Sequence, residues 1–268
     1  EDPGDRYLGE VPVVDAFGQY HLGDWEGKIH SLEQLSEEWE KEDIQPVKRE
    51  QYGYSRYGGF LDARIDEGTG FFRTEKIDGR WWFVDPEGYL FLSHGVNCVG
   101  PGGGGNIHRL EHRRNMYMEL PPDQCSSGYG RYRTLSYGIW NLCRRYGEDY
   151  RESSIENIFT RMDRWGLNTI ANWSSREVYD RNQKAFTLQL RDIGIEGALM
   201  GLADIYDPDF GRRIDSSVRA TVRRYRDNPW LLGYFTFNEP SFVGRESRLC
   251  DLILEGEERP IKRVLEKH

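Results

Sequence analysis

The chain has 268 residues, enough for one or two domains at about 150 residues each. Its 37% hydrophobic and 13% aromatic content excludes a disordered chain, and no apolar run approaches the roughly 18 residues that a transmembrane helix needs. A formal charge of −9, from 36 basic and 45 acidic residues, argues against a surface built for nucleic-acid phosphates.

The first residues, Glu-Asp-Pro-Gly-Asp, carry neither Met nor an apolar leader. The expectation is a processed protein or a piece of a longer one. The compartment is not readable from them; a secreted or periplasmic location is the working expectation. Residues 1–70 read as a lead-in, with extended pieces broken by Gly, Pro and Asp to about residue 30. One helix follows, because Ser31-Leu-Glu-Gln34 fits a capping box and Leu32, Leu35 and Trp39 recur at helical spacing. Its acidic run reads as a solvated face.

From residue 71 the pattern is that of strands. Phe71–Ile77 and Arg80–Val84 flank Asp78-Gly79, a pair suited to the positive-φ positions of a hairpin turn. Strand alternation lets at most one of Trp81 and Trp82 face a given partner. Tyr89–Asn97 is nearly continuous apolar sequence and predicts a strand buried on both faces. Residues 100–150 are rich in Arg and Tyr with little periodicity, and are expected as a long insertion. The PGGGG at 101–105 lacks the Lys-Ser/Thr of a phosphate loop.

Beyond 151 helices and strands alternate. Helix is expected over 154–165, ended by Gly166, and again from an Asp207 N-cap to about 226, over 245–255 and over 260–268. Strands are expected over 167–173, 185–190 and 230–237. The arginines of the 207–226 helix read as a solvated face. Such alternation implies an α/β fold with a parallel sheet, either doubly wound or a (β/α)8 TIM barrel. No GxGxxG follows Asn97, which disfavours the dinucleotide-binding doubly wound sheet. In a barrel the functional side chains stand at the carboxyl ends of strands. Those ends are His94 and Asn97, Asn172 and Trp173, and Asn238 and Glu239. Amides and an imidazole bind hydroxyls, an indole stacks on a sugar ring, and a carboxyl in a partly desolvated mouth can give up a proton. We therefore expect Glu239, His94, Asn97 and Asn172 to share one cleft, walled by Trp173 and the insertion. Placement of His94 at the opposite end of the sheet from Glu239 would sink the acid/base assignment.

Asp78–Gly88, Ser93-His-Gly-Val-Asn97, Trp165–Trp173 and Pro229–Glu239 together resemble β-agarases of glycoside hydrolase family 50, over roughly residues 70 to 265. The resemblance implies a retaining glycosidase of the clan-A (β/α)8 type, an acid/base role for Glu239 and a substrate-hydroxyl contact for Asn238. Phe237 departs from the family frame, where a polar residue is expected. The implied partner is a poly- or oligosaccharide, with no nucleic acid, membrane, metal or cofactor. About four barrel strands are legible where a closed barrel needs eight, and no second carboxylate follows a later strand. The expectation is thus the first four βα units, over 71–268, of a barrel completed by a missing segment or second chain. Its alternatives are a non-catalytic carbohydrate-binding or structural remnant and, among enzymes, a β-galactosidase or another clan-A activity. The four cysteines, Cys98, Cys125, Cys143 and Cys250, form no CxxC and are expected as thiols with at most one pair.

Overall fold

The computed structural model describes residues 11–268 except 48, 103, 129–132, 191–198, 237 and 240. In chain order the first elements are α1 (Leu32–Asp43), β1 (Arg73–Ile77), β2 (Arg80–Val84), β3 (Leu90–Phe91) and β4 (Gly95–Val96). Then come α2 (Leu110–Arg113), β5 (Ser126–Ser127), β6 (Thr134–Leu135), α3 (Tyr137–Tyr146) and α4 (Tyr150–Arg164). The last part holds β7 (Thr169–Ile170), α5 (Arg176–Tyr179), β8 (Ala185–Gln189), α6 (Phe210–Val222), β9 (Leu231–Phe235), α7 (Glu246–Glu255) and α8 (Pro260–Leu265). These elements group into two compact units whose segments alternate along the chain. One comprises Glu1–Arg49 with Val99–Gly166, the other Glu50–Cys98 with Leu167–His268.

The first unit is helical and held by charge. Ser31 caps α1 by accepting a hydrogen bond from the Gln34 amide at 3.2 Å, while Gln34 accepts one from the His30 amide at 2.9 Å. At the other end of α1, Glu42 meets the guanidinium groups of Arg161 on α4 and of Arg145 on α3, the latter at 2.7 Å. Those contacts, that of Arg161 foremost, hold the Glu42 carboxyl down at about 2. The expected insertion is therefore partly helical. Ser136 starts α3 by accepting from the Ile139 amide at 3.2 Å, and Arg144 stacks on Trp140 at 3.6 Å from the ring centroid.

In the second unit, β1 and β2 form the expected hairpin. Asp78 and Gly79 take φ of 49° and 80° at the turn, and Ile77 pairs with Arg80. Trp81 is 70% exposed and Trp82 partly buried, as alternation requires. β3 adds to β2 through Phe83–Phe91. The parallel sheet has the order β4-β7-β8-β9, which follows the chain without reversal. Its centre carries Ile170, Ala185 and Phe186, all essentially inaccessible, and the Phe186 ring packs between Tyr179 and Tyr225 at 5.1 and 5.3 Å. A second apolar cluster joins Leu199 to Leu249 and Ile253 of α7 and Ile261 of α8.

Two expectations need correction. The run Tyr89–Asn97 is not one buried strand. Phe91 ends its pairing in the antiparallel sheet, Gly95 begins pairing with Thr169 in the parallel one, and Leu92 to Cys98 are exposed. Apolar character alone could not show that the run changes sheets. The crossing is pinned by Asn168, which is 1% exposed. Its Nδ2 donates to the carbonyls of Gly58 and Leu92 at 3.0 and 2.9 Å, and its Oδ1 accepts from the His94 amide at 2.9 Å. Gly95 then lies so close to Thr169 that a Cβ there would overlap the Thr169 carbonyl. The second correction concerns α6, which begins two residues later than expected. Asp209 stands at its N-cap, because Asp207 instead closes a turn by accepting from the Asp209 amide at 2.8 Å.

Candidate functional site at the carboxyl edge of the parallel sheet

Parallel strands present their carboxyl ends on one side, so the residues leaving β4, β7 and β9 share an edge. Asn97 leaves β4, Asn172 and Trp173 leave β7, and Asn238 and Glu239 leave β9. Asn97, Trp173, Asn238 and Glu239 are exposed, Trp173 at 46%, whereas Asn172 is buried. Asn172 is also the best anchored. Its Oδ1 accepts from the Thr187 hydroxyl of β8 at 3.0 Å, and its carbonyl accepts from the Cys98 amide at 3.0 Å. One asparagine thereby ties three successive strands.

The backbone at this edge is unusual. Cys98, Trp173 and Glu239 have φ of 55°, 62° and 45°. Left-handed conformation is disfavoured for residues with a Cβ and costs about 1–3 kcal/mol each. Three such residues follow three of the four parallel strands. In the segment that follows β8, Met200 is a fourth, at 51°, and its carbonyl accepts from the Ser241 hydroxyl at 2.7 Å. That bond fixes the turn just past Glu239 to the one after β8. Phe237 and Pro240, which flank Asn238-Glu239, lie outside the described residues.

His94 does not join this set. It precedes β4, its carbonyl accepts from the Asn168 amide at 2.8 Å, and it stands at the amino-terminal entry of the sheet, opposite Asn97. The reason is the sheet change at residues 92–94, which makes His94 an entering rather than a leaving residue. With His94 and Glu239 at opposite ends of the sheet, the expectation tied to the acid/base role goes against it, and only the position of Glu239 after β9 still supports that role. Glu239 is also open to solvent, not enclosed in the partly desolvated mouth expected from its strand.

Other acids near these segments are committed elsewhere. Asp204 is 2% exposed and accepts from the amides of Tyr206 and Ile261 at 3.1 and 3.3 Å, which fixes the start of α8. Glu246 accepts from the Gly244 amide at 2.9 Å, and that bond lowers its pKa. The arginines of α6 pair with neighbouring acids, as with Arg213–Asp207 at 2.8 Å and Arg219–Asp215 at 2.7 Å, and form a solvated face. Among the described residues there is no cluster of three metal-ligating side chains, and no helix is long and apolar enough to cross a membrane. Sequence reading missed Asn168 and Thr187. Their only signal is a polar residue inside an otherwise apolar strand segment.

The site and fold thus define a mixed α/β protein with a parallel sheet whose carboxyl edge gathers amides, an indole and a carboxylate. Compared with known proteins, the chain is similar to β-agarases and to agarases of glycoside hydrolase family 50. β-Agarase B of Vibrio sp. (strain JT0107) is 27% identical over 277 residues, which cover 88% of this chain and 29% of that protein. The crystal structure of an agarase, AgWH50C, superposes with a TM-score of 0.80 at 29% identity, covering 95% of this chain and 43% of that one. PfGH50B gives a TM-score of 0.73 at 28% identity, with 90% of this chain and 40% of that one covered. The chain therefore spans less than half the length of each. No family profile matches it.

Proposed function

We propose that this chain carries part of the catalytic (β/α)8 barrel of a retaining, β-agarase-type glycoside hydrolase, with Glu239 as its general acid/base. The observation that carries this reading is the position of Asn238-Glu239. They leave the fourth of four parallel strands that neighbour one another in chain order, in a chain similar to agarases. Sequential strand order is how successive units of a barrel are laid down, whereas a doubly wound sheet reverses at its switch point.

In that reaction the protonated Glu239 carboxyl gives its proton to the glycosidic oxygen as the bond to the anomeric carbon breaks. A second carboxylate about 5–5.5 Å away attacks that carbon, and Glu239 then takes a proton from the water that releases the sugar. Asn238 contacts a substrate hydroxyl. Asn97 and Asn172 supply further amides, Asn172 oriented by Thr187, and Trp173 offers its half-exposed indole to a sugar ring. His94 is left out of this set. The second reading, a carbohydrate-binding remnant without turnover, is favoured by the commitment of Asp204 and Glu246 to backbone amides.

The test is release of reducing sugar from agarose oligosaccharides by the protein that contains this chain. Glu239→Gln should lower turnover by at least about 100-fold, as loss of a general acid/base does, while the variant still binds the oligosaccharide. Unchanged turnover in that variant removes Glu239 from catalysis. Binding without turnover in the parent protein selects the remnant.

A further inference from the structure

Two of the four cysteines line one cavity in the first unit. Cys125 lies in the turn before β5 and is 2% exposed. Its carbonyl accepts from the amide of Ser136, the N-cap of α3, at 2.9 Å, so its backbone is locked to the start of that helix. Cys143 sits near the far end of α3, partly open to solvent. α3 packs on β5, and the two cysteines line one cavity of about 460 Å³ together with Gln124, Trp140 and Arg144. Burial and then direct interaction with the Cys143 thiol push the Cys125 thiol up to about 11. Cys98 and Cys250 belong to the other unit and line no part of this cavity.

We propose that Cys125 and Cys143 are a reversible disulfide site that takes a low-molecular-weight disulfide as its oxidant. This inference is independent of the glycosidase reading. Cys143, the more accessible thiol, loses its proton and attacks one sulfur of the oxidant, releasing one small thiolate and leaving a mixed disulfide. Cys125 then loses its proton to solvent and attacks the Cys143 sulfur, releasing the second small thiolate. Two protein thiols are oxidised and one small disulfide is reduced to two thiols. The bond closes a loop of roughly 18 residues and staples the turn before β5 to the last turns of α3.

The experiment incubates the whole chain with oxidised glutathione at mildly alkaline pH to completion, alkylates the remaining thiols and digests without reduction. Mass spectrometry should find a peptide joining Cys125 to Cys143, with Cys98 and Cys250 alkylated. The oxidised protein should melt about 5–10 °C above the reduced one, the range expected for a loop of this length. Cys143→Ser should abolish both the linked peptide and the shift, while melting close to the reduced parent. A persistent glutathione adduct on Cys143 beside a free Cys125 thiol overturns the proposal. So does any other pairing, or no linked peptide at all.

Discussion

Asn168 is the residue on which the start of the parallel sheet depends, and its removal has a size that can be worked out. The carboxamide makes four hydrogen bonds while almost wholly buried. Two run from Nδ2 to the carbonyls of Gly58 and Leu92. Oδ1 accepts from the His94 amide and from the Thr169 hydroxyl at 3.0 Å. Each such bond contributes about 0.5–1.5 kcal/mol net, and each buried partner left unpaired costs about 1–3 kcal/mol. Water can reach some of these partners through the exposed residues 92–94, so the full sum is not expected. Asn168→Ala should destabilise by about 3–5 kcal/mol, a loss of roughly 10 °C in melting temperature for a unit of this size. Asn168→Asp keeps the acceptor but turns carboxylate oxygen toward two carbonyls, and should cost about as much. Urea unfolding followed by tryptophan fluorescence measures both. Hydrogen exchange at the His94 amide reports whether the sheet crossing has opened locally. A loss below about 1 kcal/mol in Asn168→Ala, with His94 still protected, would refute the reasoning.

Two further outcomes follow from the described geometry. Glu42 is held at about 2 in the folded chain against an ordinary value of 4.5, so its contribution is complete above about pH 4.5 and is lost as pH falls toward 2. Glu42→Gln should flatten that part of the acid limb of a stability–pH profile, and an unchanged limb rules out this ion-pair cluster as its source. Trp173→Gly relieves a left-handed backbone and should leave stability within about 1 kcal/mol of the parent, while oligosaccharide affinity measured by calorimetry falls by about 1–3 kcal/mol. Unchanged affinity would remove Trp173 from the proposed sugar-binding set.

Local chemistry made the first-level elements legible. The Ser31 cap, the Asp78-Gly79 turn and the Gly166 stop depend on neighbours a few residues away, and each lies where the sequence places it. Long-range pairing was less legible. Nothing within 89–97 reveals that its two halves pair with different partners, because that choice is made by Asn168, more than 70 residues later. The edge set follows the same division. Asn97, Asn172, Trp173, Asn238 and Glu239 are legible as residues that follow strands, whereas His94 precedes its strand because β4 begins where one continuous strand was expected to end. α3 was legible in principle, since Ile139, Leu142, Cys143 and Tyr146 recur at helical spacing, but Ser136 caps it without an acidic or amide partner three residues on.

The interleaving of the two units also sets an order of events during synthesis. β4 leaves the ribosome 74 residues ahead of its pairing partner β7 and of the Asn168 that holds its entry. At about 5–20 residues per second this is a wait of roughly 4–15 seconds. The antiparallel hairpin of the same unit, closed by a two-residue turn, needs no such wait. Nascent chains should therefore carry a finished hairpin followed by an unpaired Gly95–Val96 edge, while the helical segment that ends at Gly166 is still being made. Exposure of that edge to chaperones should concentrate in that interval and end once Ile170 has emerged.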